Sequence, residues 1–246
     1  MKKNNEKVKT GYYNAKTIAK FHKAYCDALQ AVENGSDLKV RISKDNSKMG
    51  SVASVSLLPF LTCPTCCKHT CGKDCYAAKI ANLYPTVLKS YAINTAIAIN
   101  NPAEYWKQVN QAMKGFRFFR FHVAGDILNR AYFAEMIKAA QANPHTEILV
   151  FTKKYDIVNN WIDNNGDLPE NLHILFSGWE NLDPVNPHNL PETNVLPKNA
   201  TENDLARNQV FCGGNCFECA CRGVGCWQAK KVSVSCFTST NEERSF

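Results

Sequence analysis

Apolar positions fall at helical spacing from Asn14 to about Glu33, through Ile18, Phe21, Tyr25, Ala28, Leu29 and Val32, and Asn34-Gly35 supplies a stop. Cys26 reads as a buried apolar residue of this helix. Leu38 to Ile42 and Ser51 to Leu58 alternate as strands. Between them, Ser43 to Gly50 is a polar turn that reads either as a hairpin loop or as an anion-binding loop containing Lys48. Tyr76 to Asn100 is helical with a break at Pro85, and Asn101-Pro102 opens another helix that stops at Gly115. Phe116 to Val123, Glu147 to Phe151 and Leu172 to Phe176 then read as strands. They are separated by helices over 130–142 and after Asp156, which reads as a cap. Strand, helix, strand, helix, strand with short links predicts parallel strands and right-handed crossovers. The expected fold is α/β: a mostly parallel sheet or a partial β/α barrel, with an N-terminal helix and two cysteine-rich metal-binding loops. Residues 1–246 form one domain, with a cysteine loop at 63–75 and a lid and second cysteine group over 180–230. The stretch 180–210, rich in Pro, Asn and Asp, is expected to carry little regular structure. Lys231 to Phe237 alternates as a closing strand that carries Cys236.

The cysteines change this picture from a generic α/β domain to one with chemistry. Ten of twelve lie in two short windows: Cys63, Cys66, Cys67, Cys71 and Cys75, then Cys212, Cys216, Cys219, Cys221 and Cys226. No apolar run is long enough to span a bilayer, and no apolar segment follows the basic N-terminus. The expectation is a cytoplasmic protein with reduced thiols and no membrane partner, in which clustered cysteines bind metal in preference to forming disulfides. The first window offers Cys63, Cys66, Cys71 and Cys75 as ligands, or an overlapping set built on Cys67, Cys71 and Cys75. The second offers Cys212, Cys216, Cys219 and Cys226, with Cys221 too close to Cys219 for both to ligate. Zinc suits paired Cys arms. The irregular spacings and the Cys-Pro and Cys-Trp neighbours favour iron–sulfur clusters, one or two of them and 4Fe-4S in type, with zinc as the alternative. His69 is superfluous as a ligand, and Trp227 is placed to shield the second group.

Ligands of parallel α/β sheets bind at the carboxyl ends of strands. Three such ends carry polar residues here: Arg120, His122, Gly125 and Asp126; Thr152, Lys153 and Lys154; Ser177 and Trp179. Alternation places Arg120 and His122 on one strand face. The sequence thus nominates Arg120, His122, Asp126 and Lys153 as catalytic groups, and Lys48, Gly125, Thr152 and Ser177 as cofactor-binding ones. A solvated surface, a turn and a helix cap are the competing readings. The net charge of +7 favours anionic partners, either a small substrate or nucleic acid.

Six segments together resemble the gene product 88 family of phage and mobile-element proteins. They are Asn46-Ser47-Lys48, Thr62-Cys63-Pro64, Cys75-Tyr76-Ala77, Arg120 to Ile127, Phe151 to Lys154 and Gly225-Cys226-Trp227. Ala124 stands where the family has Ser, and Cys67 and Cys221 are extra to its pattern. The resemblance implies iron–sulfur binding and a phage or mobile-element origin, with no known reaction. At the level of fold the chain also resembles radical S-adenosylmethionine enzymes, which implies S-adenosylmethionine as a cofactor and an electron donor as a partner. Their Cys-x3-Cys-x2-Cys signature is absent. The functional expectation is an iron–sulfur protein doing redox or radical-type chemistry on an anionic substrate. The alternative is a zinc-stabilised nucleic-acid-binding protein.

Overall fold

A computed structural model describes residues 11–46, 49–179, 181–196, 209–212, 214–227 and 233–237. Helix α1 (Ala15–Glu33) begins where the Asn14 side chain accepts from the Thr17 amide at 3.0 Å. Two short strands follow, β1 (Ile42–Ser43) and β2 (Ala53–Val55). After the first cysteine window come α2 (Tyr76–Leu83), α3 (Pro85–Asn100) and α4 (Pro102–Met113). The Pro85 and Pro102 rings sit in first helical turns, where a missing N–H costs nothing. The chain then alternates β3 (Phe118–Phe121), α5 (Arg130–Ala142), β4 (Glu147–Thr152), α6 (Tyr155–Asn165) and β5 (Leu172–Ser177). It ends in β6 (Glu192–Leu196), β7 (Gln209–Phe211), α7 (Cys216–Arg222) and β8 (Ser233–Phe237).

The strands form one sheet in the order β1-β2-β3-β4-β5-β6-β8-β7. Only β1 and β2 pair antiparallel; every other pair is parallel. The mostly parallel α/β sheet is therefore as predicted. Among the described residues no pairing joins β1 to β7, so the structure shows a sheet and not a barrel.

Period-two alternation gives the sheet two different faces. Val55, Phe119, Phe121, Ile148, Val150, Ile174 and Phe176 pack against α1, α3, α4, α5 and α6 in the main core. Phe118, Leu149 and Leu175 point the other way, and there they meet Met49, Ala220, Trp227 and the partly buried Cys212, Cys216, Cys219 and Cys226. One face is thus covered by helices and the other by the second cysteine group. Among the described residues no helix is long and apolar enough to cross a membrane.

Several expectations need correction. The strand predicted from Leu38 is confined to Ile42–Ser43, because helix side chains take the preceding backbone groups: Val40 N–H donates to Gln108 Oε1 at 2.8 Å, and Gln108 Nε2 donates to the Leu38 carbonyl at 2.7 Å. Cys26 is exposed rather than buried. Asp156 lies inside the first turn of α6 and does not cap it. The segment expected to lack regular structure contains β6, which pairs with both β5 and β8.

Asn94, fully buried on α3, ties the helix layer to the antiparallel edge. Its Oδ1 accepts from the Arg41 amide at 2.7 Å, and its Nδ2 donates to the carbonyls of Arg41 at 2.9 Å and Ser56 at 3.0 Å. Asn94→Leu would strand these backbone groups away from water. The expected loss is about 2–4 kcal/mol of folding stability, read from urea denaturation; a change under about 0.5 kcal/mol would show the three bonds to be dispensable.

Candidate functional site

The first cysteine group grows out of β2. Leu57 and Leu58 continue the strand, but bond to the Ala124 carbonyl (2.9 Å) and to Thr95 Oγ1 (2.8 Å) in place of a neighbouring strand. The chain then folds into a 3-10 turn, Thr65–Lys68. Cys66 and Cys67 carbonyls collect the amides of His69, Thr70 and Gly72. Gly72 is required by close approach, since a Cβ there would lie 2.4 Å from the Cys67 carbonyl oxygen. These returns bring the thiols together: Cys63, Cys66 and Cys71 lie close enough to Cys67 to act on its thiol, and Cys75 stands at the N-cap of α2. The sequence treats Cys67 as the spare cysteine of this window. Its thiol in fact stands at the centre of the group and is 4% exposed. His69 is exposed.

Proximity raises the thiol pKa values. The hydrogen bond to Cys63 and then burial push Cys67 up, and the bond to Cys67 and burial push Cys71 up. Burial raises Cys66, and lifts Cys75 to about 11. The Lys153 ammonium opposes the rise at all four. The end of β4 therefore faces the first cysteine group, which is the convergence expected of parallel strand ends.

Lys153 is held there from two sides. Its Nζ donates to Ser177 Oγ at 2.6 Å and lies 5.8 Å from the Trp179 ring centroid. Its amide donates to Asp126 Oδ2 at 3.0 Å. Asp126 Oδ1 accepts from Thr152 Oγ1 at 2.6 Å and from the Ile127 amide at 2.8 Å, while the Asp126 amide donates to Thr62 Oγ1 at 3.2 Å. Burial raises the Asp126 pKa, and these donors oppose the rise. Asp126 thus joins the end of β3 to β4 through its carboxylate and to the cysteine loop through its amide. It does not cap α5, whose cap is Asn129. Gly125 has φ +83°, and a Cβ there would stand 2.6 Å from Thr62 Oγ1, so glycine is needed for the loop to approach. Thr152 belongs to this brace, and Lys48 lies outside the described residues.

His122 breaks the predicted alternation. Its φ of +58° turns the ring away from Arg120 and against Tyr132 of α5, centroids 5.6 Å apart. The ring is 3% exposed, neither nitrogen has a hydrogen-bond partner, and burial lowers its pKa to about 3.

Arg120 lies on the opposite face, in register with Ser54 and Leu149. Its guanidinium contacts Met49 Sδ at 3.5 Å and Cys216 Sγ at 4.0 Å, and stacks 4.5 Å over the Phe151 ring. The second cysteine group closes over it. Asn215 caps α7 by accepting from the Phe217 and Glu218 amides, Phe217 N–H donates to the Met49 carbonyl at 2.9 Å, and Trp227 Nε1 donates to the Cys216 carbonyl at 3.0 Å. Burial, then Cys212 and Cys216, push Cys226 up to about 12; burial also raises Cys219. Cys221 is exposed. Tyr76, which follows Cys75, donates from its hydroxyl to the Val123 carbonyl and feels Arg120, Cys75 and Cys216 together, so it stands between the two groups.

The described cysteines are all free thiols. Among the described residues no three His, Cys, Asp or Glu side chains already stand in ion-coordinating geometry. Sequence reasoning gave no role to Thr62 or Met49; neither residue type signals a site, and their parts come from contacts made only in the fold.

Fold and site together define a cysteine-rich α/β protein with a mostly parallel sheet and two separate thiol groups. It belongs to the gene product 88 family, whose profile matches residues 6–238. No curated protein and no solved structure matches the chain, and the likeness to radical S-adenosylmethionine enzymes finds no support in these comparisons.

His122 makes a testable contribution to stability. A histidine of ordinary pKa 6.5 when unfolded and about 3 when folded binds fewer protons in the native state between those values. Its contribution is complete above about pH 6.5 and is lost as pH falls toward 3. His122→Asn keeps a residue that tolerates positive φ and removes the titration. The stability lost between about pH 7 and pH 5 should shrink by about 2 kcal/mol in the variant, measured by urea denaturation; an equal loss in both proteins would rule out this origin.

Proposed function

We propose that this chain is an iron–sulfur protein encoded by a phage or mobile element, and that a centre in the first cysteine group serves redox or radical-type chemistry on an anionic substrate. The observation that carries the reading is the hydrogen-bonded thiol group beside Lys153 at the strand ends. Its donor chemistry fits a soft metal centre. Crowded, buried thiols resist ionisation individually, whereas a bound metal deprotonates its thiol ligands outright and removes that penalty. Cys63, Cys66, Cys71 and Cys75 would hold the centre, with Cys67 beside them for the overlapping set. Closing on it would require thiol rotamers to turn inward. Such a centre supplies electron transfer or Lewis acidity.

The chain's own residues do the rest. Lys153, kept in place by Ser177 Oγ and by its amide bond to Asp126, offers a positive charge to an anionic group. Asp126 has both carboxylate oxygens occupied, so it positions Lys153 and takes no part as a proton carrier. The buried His122 ring lies on the helix side of the sheet and is given no role here.

Protein prepared without oxygen should contain iron and acid-labile sulfide and absorb broadly near about 400 nm. A Cys71→Ser/Cys75→Ser variant should lose the iron, sulfide and absorbance of one centre. Zinc without iron or sulfide would overturn the reading in favour of a zinc-stabilised nucleic-acid-binding protein, whose affinity for DNA or RNA would fall steeply with salt. Cleavage of added S-adenosylmethionine by the reduced protein would identify that cofactor.

A further inference from the structure

Arg120 is a permanent cation that no described carboxylate neutralises. It is the third of the four residues of β3, on the sheet face that α7 and the Gly225–Trp227 turn cover. Among the described residues no Asp or Glu pairs with it, and its Nε is buried without a hydrogen-bond partner. Its neighbours are two sulfurs and an aromatic ring. Placing a guanidinium in a poorly hydrated site without an anion is costly, and a guanidinium cannot relieve the cost by losing its proton.

An anion is available once the thiols ionise. Cys212 and Cys216 lie near enough to raise the pKa values of both Cys219 and Cys226, and Arg120 pulls Cys226 the other way. Four thiolates around a divalent ion carry a net double negative charge, which a neighbouring cation stabilises. The cover is also fastened directly above the guanidinium, by Phe217 N–H on the Met49 carbonyl and by Trp227 Nε1 on the Cys216 carbonyl. A substrate would have to displace this cover to reach Arg120.

We propose that Arg120 is the counter-charge of a second metal centre held by Cys212, Cys216, Cys219 and Cys226, and that it sets the affinity and reduction potential of that centre in place of binding substrate. This rests on the reading that the thiol groups bind metal, but not on the metal being iron. Arg120 is then a positioning and tuning residue. Its effect is confined to the second group.

The test uses full-length metal-free protein, titrated anaerobically with cobalt(II) and followed by thiolate-to-cobalt absorption. The second centre is isolated in the Cys71→Ser/Cys75→Ser background. Adding Arg120→Met should weaken cobalt binding there by about tenfold, and Arg120→Lys, which keeps the charge, should retain most of it. In iron-loaded protein, Arg120→Met should lower the reduction potential of one centre and leave the other unchanged. Should Arg120→Met not fold, Arg120→Gln and Arg120→Lys carry the comparison. Equal cobalt affinity in the wild-type, Met and Lys forms would overturn the proposal, as would a failure of the Cys71→Ser/Cys75→Ser protein to bind cobalt at all. Cobalt binding that depends on Arg120, in a protein that purifies without iron or sulfide, would sink the iron–sulfur reading and leave this one standing.

Discussion

The arrangement of the first thiol group depends on a single buried carboxylate. Asp126 accepts from Thr152 Oγ1, the Lys153 amide and the Ile127 amide, and its own amide reaches Thr62 one residue before Cys63. Three structural pieces, the end of β3, the end of β4 and the root of the cysteine loop, meet on one residue, the first two through its carboxylate and the third through its amide. A carboxylate can do this because it has several acceptor sites, and burial without those donors would cost far more than the bonds return. The glycine before it is part of the same constraint, since any Cβ at 125 would push Thr62 away. Lys153 reaches the thiols because this junction fixes its backbone.

The helices and central strands were legible because period does most of the work there. Helix α5 spans Arg130–Ala142, the range its apolar stripe predicts, and the proline-marked starts of α3 and α4 fall where the missing N–H is harmless. β6 was not legible. Its residues, Glu-Thr-Asn-Val-Leu, are mostly polar, and it becomes a strand through pairing with β5 and β8. Tertiary pairing outweighs local propensity in such a segment.

At the site, the convergence of strand ends on the first cysteine window followed from a rule about parallel sheets, and the structure places Lys153 accordingly. The failure at His122 has a local cause. Alternation assumes extended backbone, and the positive φ of His122 sends its own side chain to the other layer. The position of the second window was beyond any local rule. Nothing in Cys212 to Trp227 announces that it lies across the face of the sheet opposite the main core, because that contact depends on Phe118, Leu149 and Leu175, distant in sequence.

That placement ties chemistry to folding. In most parallel sheets helices cover both faces. Here the described helices of the main core cover one, and on the other the cover is short: α7 has seven residues and the turn after it three. Among the described residues, so small a cover buries little apolar area beyond Trp227, Phe217, Ala220 and the cysteines themselves. Thiols bound to a common ion would close the loops from within and add what the apolar contacts lack, as structural metals do in small domains. Arg120 on this face and Lys153 just past the end of β4 are both without a carboxylate partner among the described residues. Each stands beside one thiol group. On the reading proposed above, thiolates held by a metal would neutralise both cations, since thiolates persist at neutral pH in such crowding when a metal holds them.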